Sequence, residues 1–134
     1  MTKQVVYIAM ENTLASGLNV LEDWTIRLSR QEKGLYLECK PLVSEEEVLK
    51  HFPLEIYDVR ICSGFKGITD EHTKNIKEEK IEWLNTYFPH IKKVTFVKDP
   101  YNKNVRNCSQ YILIDNCDWA RYSYKGKAFI APWL

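Results

Sequence analysis

The chain has 134 residues, of which 45% are apolar and 28% charged. That is enough for one domain with its own core, and too apolar for a disordered segment. The net charge of +1 sets up no bulk field toward nucleic acid or a membrane surface, so nucleic acid is not an expected partner. No apolar run reaches the ~18–20 residues that cross a bilayer, so no membrane role is expected. Met1-Thr2-Lys3-Gln4 runs straight into a strand-like segment without the apolar stretch and cleavage site of a secretory leader; the expected location is cytoplasmic. Cys39, Cys62, Cys108 and Cys117 form no C-x-x-C pair, and His51, His72 and His90 are scattered. Neither zinc ligation nor a disulfide is therefore expected, and Cys62 reads as a buried thiol within a strand.

In chain order, Gln4–Ala9 is a β-branched apolar run followed by turn chemistry at Glu11-Asn12, the pattern of a buried strand. The mixed apolar spacing of Asn19–Arg30 predicts a helix. Gly34–Leu42, with Pro41, reads as a connection or a short extended piece. Ser44-Glu45-Glu46-Glu47 is a capping box with acids suited to a helix amino end, and this helix stops before Pro53. Glu55–Cys62 predicts a strand ending at Ser63-Gly64. Thr69 or Asp70 opens the clearest helix, Glu71–Phe88, with Ile76, Ile81, Trp83, Leu84, Tyr87 and Phe88 toward one stripe and Pro89 as its stop. Lys93–Val97 is a strand, Lys98–Ser109 a polar loop, Tyr111–Ile114 a strand ending in Asp115-Asn116, Trp119–Tyr122 a short helix or turn, and Ala128–Ala131 a last strand.

Strands alternating with helices imply an α/β fold, a three-layer sandwich around a central parallel sheet, spanning residues 1–134 as one domain. Ligands of such sheets sit at the carboxyl ends of the strands. Residues just beyond those ends are Ala9 to Leu14, Ser63-Gly64, the loop with Lys98 and Lys103, and Asp115-Asn116. A hydroxyl and a lysine suit phosphate oxygens, and carboxylates suit a divalent cation.

Several stretches carry a resemblance. Tyr7-Ile8-Ala9-Met10-Glu11-Asn12-Thr13-Leu14 resembles the first motif of the haloacid dehalogenase superfamily, hydrophobic-Asp-x-Asp-Gly-Thr-hydrophobic. Arg60-Ile61-Cys62-Ser63-Gly64 resembles the second, and Tyr111-Ile112-Leu113-Ile114-Asp115-Asn116 the fourth, which usually ends Asp-Asp. Lys80-Ile81-Glu82-Trp83-Leu84 with Phe88-Pro89, and Trp119 followed by Gly126-Lys127-Ala128-Phe129-Ile130, resemble small 5′(3′)-deoxyribonucleotidase-like and phage-type members. The resemblance covers nearly the whole chain and implies a Rossmannoid phosphatase fold, with a short cap-like insert at about residues 15–53 that leaves the pocket open.

In that family the first Asp attacks phosphorus and the second moves the proton. Mg²⁺ is held by the first Asp, a backbone carbonyl at the second and a motif-four carboxylate. Carried over, the resemblance places Ala9 at the nucleophile position, Glu11 at the acid/base, Ser63 and Lys103 on the phosphoryl oxygens, and Asp115, Asn116 and the Glu11 carbonyl on the metal. Lys98 is the reserve for Lys103. A methyl group at position 9 neither attacks phosphorus nor binds Mg²⁺, and loss of a covalent nucleophile removes a factor of about 10⁴–10⁶ in rate. Glu11 carries its carboxyl one methylene further out, and Asn116 removes a metal-ligand charge. Asn12, in place of Gly, tolerates left-handed backbone. The expected function is a catalytically inactive pseudo-phosphatase that binds a protein or a phosphorylated small molecule, with Mg²⁺ binding weakened. The alternative is a Mg²⁺-dependent, nucleotidase-like phosphomonoesterase carrying an inactivating Asp-to-Ala substitution.

Plainer roles stand beside these. Ser63 fits a turn hydroxyl and Lys103 a solvated loop lysine. Lys74, Lys77, Lys80, Lys92 and Lys93, interleaved with acids, read as a solvated face. Trp83, Trp119 and Trp133 read as packing residues, and Trp24 as packing or as a platform for a base. Tyr122, Tyr124, Phe129 and Trp133 read as core or, if exposed, as an interaction patch.

Overall fold

A computed structural model describes residues 2–134. Five strands form one all-parallel sheet: β1 (Gln4–Ala9), β2 (Tyr57–Gly64), β3 (Lys93–Val97), β4 (Ile112–Ile114) and β5 (Lys127–Phe129), in the spatial order β3-β2-β1-β4-β5. The chain steps outward from β1 to β2 and β3, returns across the sheet to β4, and steps outward again to β5. The order reverses between β1 and β4, which makes the crevice above their carboxyl ends the natural ligand position.

β1 is central and buried on both faces, which is why its sequence is continuously apolar rather than alternating. Val6 and Ile8 point to one side, where Val59, Ile61, Trp83, Leu84 and Phe88 complete the larger core cluster. Val5 and Tyr7 point to the other, against Cys62, Leu113, Cys108 and Tyr124. The α/β class and the parallel sheet expected from the alternation of elements are both present. All four cysteines are free, and Cys62 is buried.

The helices follow their local signals where those are strong. α2 (Glu45–His51) starts at Ser44, whose Oγ accepts the Glu47 N–H at 3.1 Å. α3 (Asp70–Tyr87) starts at Thr69, whose hydroxyl accepts the His72 N–H at 3.1 Å, and it ends ahead of Pro89. The helix predicted over Asn19–Arg30 is a correction. A 3-10 turn at Leu18–Val20 is followed by a break, and only α1 (Trp24–Ser29) is helical. Asp23 sits at φ 54°, in the left-handed region, so the α-helical hydrogen-bond ladder cannot run through it.

Trp119 is a second correction. It lies on α4 (Asp118–Ser123) with 72% of its surface exposed, and Tyr122, one turn on, is 76% exposed. In so short a helix only one side meets the sheet, and Ala120 occupies it. Tyr124 is buried, and its hydroxyl donates to the carbonyls of Cys108 and Tyr111. Phe129 is exposed on the edge strand. No helix among the described residues is long and apolar enough to cross a membrane.

Residues 15–53 are stitched to α3. The Trp83 indole N–H donates to the Cys39 carbonyl at 2.7 Å, and the Tyr36 N–H donates to Glu79 at 3.1 Å. Trp83 thus anchors both the sheet core and the insert. Trp83→Ala is expected to lower the unfolding free energy by about 3–5 kcal/mol through the cavity it leaves, and Ser44→Ala by about 1 kcal/mol through the lost cap. Urea unfolding followed by circular dichroism measures both; equal losses would contradict this account of the core.

Candidate functional site

The rim above β1, β2 and β4 holds an open pocket of about 540 Å³. Glu11, Lys80, Lys103, Asp115 and Asn116 line its floor side, while Trp24 and Tyr36 from the insert and Tyr101 from the loop after β3 form walls. A wider depression of about 940 Å³ opens at the opposite edge of the sheet. Lys3, Arg60, Lys92 and Lys93 line it against Asp58, which pairs with Arg60 and Lys93; the first site is the one at the carboxyl ends of the strands, where ligands of parallel sheets sit.

Each side chain there arrives by a separate route. β1 ends at Ala9, in register with Cys62, and the turn that follows bends back through Asn12 at φ 59°, a left-handed position that asparagine accepts more readily than most residues. This turn sets Glu11 over the end of β2, where Ser63 is fully buried. The Ser63 hydroxyl lies 3.1 Å from Glu11 Oε2 and accepts Lys80 Nζ at 3.0 Å; the same ammonium donates to the Gly64 carbonyl at 2.6 Å and forms an ion pair with Glu11. Lys80 Nζ also stands 4.9 Å from the centre of the Tyr36 ring, a cation–π contact supplied by the insert.

The second half of the site is a separate pair. Lys103 Nζ donates to Asp115 Oδ2 at 2.6 Å, and both side chains are almost wholly buried. Asp115 Oδ1 accepts the Cys117 N–H at 2.9 Å. Asn116 is committed to the backbone: its Nδ2 donates to the Asn12 carbonyl at 3.0 Å, and its Oδ1 accepts the Ala131 N–H at 3.0 Å. Its carboxamide therefore fastens the β1 turn to the chain after β5. The Glu11 carbonyl accepts the Thr13 hydroxyl at 3.4 Å.

The structure thus brings Ala9, Glu11, Ser63, Lys103, Asp115 and Asn116 to one rim. Ala9 and Ser63 are buried beneath the pocket wall rather than on it. Lys98 is exposed at the mouth, whereas Lys103, far from being a solvated loop lysine, is buried against Asp115. Trp24 and Tyr36 both face the pocket.

Lys80 corrects the reading of the α3 lysines as one solvated face. Lys74 is exposed, but Lys80 is 3% exposed and lies at the centre of the site. The signal was its spacing: His72, Ile76, Lys80, Trp83 and Leu84 are the buried residues of α3 and fall at the 3–4 residue steps of one helical stripe. A lysine within such a stripe needs a counter-charge within reach, and the half-buried Glu11 supplies it.

The charges are balanced in pairs. Burial pushes the Glu11 carboxyl up, but the charge and hydrogen bond of Lys80, aided by Lys103, hold it below its usual value. Burial drives the Cys62 thiol up to about 11, with Lys103 opposing, so Cys62 offers no thiolate nucleophile at this rim. Ser63 is no better a nucleophile, because the amine beside it is a charged donor already paired with Glu11. Across the pocket lining, Lys66, Lys80, Lys98 and Lys103 face only Glu11 and Asp115, four cations against two anions, in a chain whose overall charge is nearly zero. The arrangement suits an anion.

The carboxylates present do not fit Mg²⁺. That ion takes a near-octahedral shell of oxygens, whereas no group of three or more His, Cys, Asp or Glu side chains gathers among the described residues. Both carboxylates are engaged by ammonium groups.

Glu11→Gln is expected to cost about 2–3 kcal/mol of stability, less than the ~3–5 of breaking a fully buried pair, because the Glu11 side chain is 30% exposed. The pH dependence has a fixed sign. With its folded pKa below the ordinary 4.5, Glu11 contributes stability that is complete above that value and lost as pH falls through the folded one. Wild-type unfolding free energy should therefore drop in acid with an added slope that Glu11→Gln lacks; equal slopes in urea titrations would refute the pairing. No protein-family model matches the chain, and no curated protein matches it.

Proposed function

We propose that the chain is a phosphatase-type protein of haloacid dehalogenase kind that has kept its phosphate-facing groups and lost its nucleophile, and that it binds a phosphorylated ligand without turning it over. The observation that carries this reading is the pair of buried ammonium groups, Lys80 on Ser63 and Lys103 on Asp115, lining one pocket at the strand ends where the sheet order reverses. Phosphate oxygens are met well by charge-assisted N–H donors at that position. The meeting of three separated motif stretches, at Glu11, Ser63 and Asp115, supports the family resemblance, and so does the all-parallel sheet.

The absence of turnover follows from position 9. The covalent route needs an attacking oxygen on the carboxyl end of β1, and Ala9 has none. Glu11, tied to Lys80 and Ser63, is held as a carboxylate and so does not supply the proton a leaving group needs.

Calorimetric titration of inorganic phosphate into the purified chain tests the reading. Saturable binding is expected, weakened about tenfold or more by Lys80→Met in samples shown to be folded by circular dichroism; no binding would sink the proposal. Hydrolysis of p-nitrophenyl phosphate should be undetectable for the wild type and for the Ala9→Asp, Asn116→Asp double variant. Mg²⁺-dependent turnover by the double variant would instead identify a disabled phosphomonoesterase.

A further inference from the structure

An aspartate at the end of a central strand, beside a pocket, is an ordinary seat for a divalent cation. Here the seat is taken. Asp115 Oδ2 carries the Lys103 ammonium at 2.6 Å, and Oδ1 carries the Cys117 N–H at 2.9 Å, so neither oxygen turns freely to a metal. Asn116, the next candidate donor, uses its Oδ1 on the Ala131 N–H. Ala9 contributes nothing. Glu11, the remaining carboxylate, is bound by Lys80 and Ser63. For Mg²⁺ to enter, a buried ammonium would have to leave its partner and stand desolvated and unpaired close to a dication.

The lysine can also perform the electrostatic part of the metal's work. A divalent cation in a phosphate pocket neutralises phosphoryl oxygens while being anchored on a carboxylate. An ammonium has three donors. One of those on Lys103 is spent on Asp115, and its side chain lines the pocket. Lys80 differs: its three donors are spent on Glu11, Ser63 and the Gly64 carbonyl, so it offers the pocket a fixed positive charge rather than a free N–H.

Resting on the phosphate-binding reading above, we propose that Lys103 takes the place of a divalent cation on Asp115, so that the pocket holds a phosphate group on the free donors of Lys103, beside the fixed charge of Lys80 and without Mg²⁺. With no carboxylate at position 9, Asp115 is the partner left to Lys103, and their pairing closes the seat a metal would take.

The test uses the wild-type chain. Inorganic phosphate is titrated calorimetrically in EDTA and again with excess MgCl₂, and Mn²⁺ is titrated alone with free Mn²⁺ read by electron paramagnetic resonance. Phosphate affinity is expected to agree within about twofold between the two conditions, with no stoichiometric Mn²⁺ site. Lys103→Met, checked for folding, should lose about tenfold or more in phosphate affinity and acquire a Mn²⁺ signal at Asp115. Phosphate affinity that rises about tenfold with Mg²⁺, or a wild-type Mn²⁺ site, would overturn metal independence while leaving the anion pocket intact. Failure of phosphate to bind in either condition would overturn the functional reading beneath it.

Discussion

Two ammonium groups buried at the end of a parallel sheet are the constraint around which the rest of this site is arranged. Leaving a buried charge without a partner costs several kcal/mol, so Lys80 and Lys103 each require a carboxylate within hydrogen-bond reach, and each has one. The requirement explains features that otherwise look unrelated. The β1 turn must fold back through a left-handed Asn12 to bring Glu11 over β2. The loop after β3 must tuck Lys103 inward, although Tyr101 and Asn102 just before it are exposed. The C-terminal segment is tied down by Asn116 and by the Trp133 indole, which donates to the Thr13 carbonyl at 2.9 Å. These ties hold the β1 turn, and with it Glu11, in place.

The insert contributes to the same electrostatics. Tyr36 lies against Lys80, and its phenol is pushed up by burial and then by the Glu11 charge. A ring in that position removes water from one side of the Lys80–Glu11 pair. Ion pairs and hydrogen bonds strengthen as the local dielectric falls. The link from Trp83 to Cys39 and that from Tyr36 to Glu79 fix the ring on α3, so the core that stabilises the fold also sets the polarity of the pocket. A segment short enough to read as a minimal cap is thereby part of the site wall rather than a lid over it.

Most of the scaffold was legible in the sequence because its signals are local. β1 and β3 fall on the predicted residues, as β-branched runs bounded by turn chemistry or loop. α2 and α3 begin at the predicted caps because a Ser or Thr oxygen answers an orphan N–H three residues on. α1 was overextended because the break at Asp23 is a single left-handed residue that apolar spacing does not register. That Glu11, Ser63, Lys103, Asp115 and Asn116 meet at one rim was legible because the carboxyl ends of parallel strands share one edge of the sheet. Lys80 was misread because the acids beside it on the helix outweighed its place on the apolar stripe. Its counter-charge lies on another element, distant in sequence, and pairings of that range are set by the fold rather than by any window of residues.

The distinction between the two lysines follows from what anchors them. Lys80 is held by three oxygens and an aromatic face, so little freedom remains to its ammonium. Lys103 is held by one carboxylate, at the end of a flexible stem. In the proposed complex, a phosphate meets one fixed cation and one that can swing from Asp115 while keeping a hydrogen bond to it. Since the protein's own carboxylates already neutralise both cations, the anion is favoured by the surplus at the mouth, Lys66 and Lys98. These are exposed and screened by salt, so on the proposed reading they set how fast and at what ionic strength an anion is drawn in, while the buried pair sets how it is held.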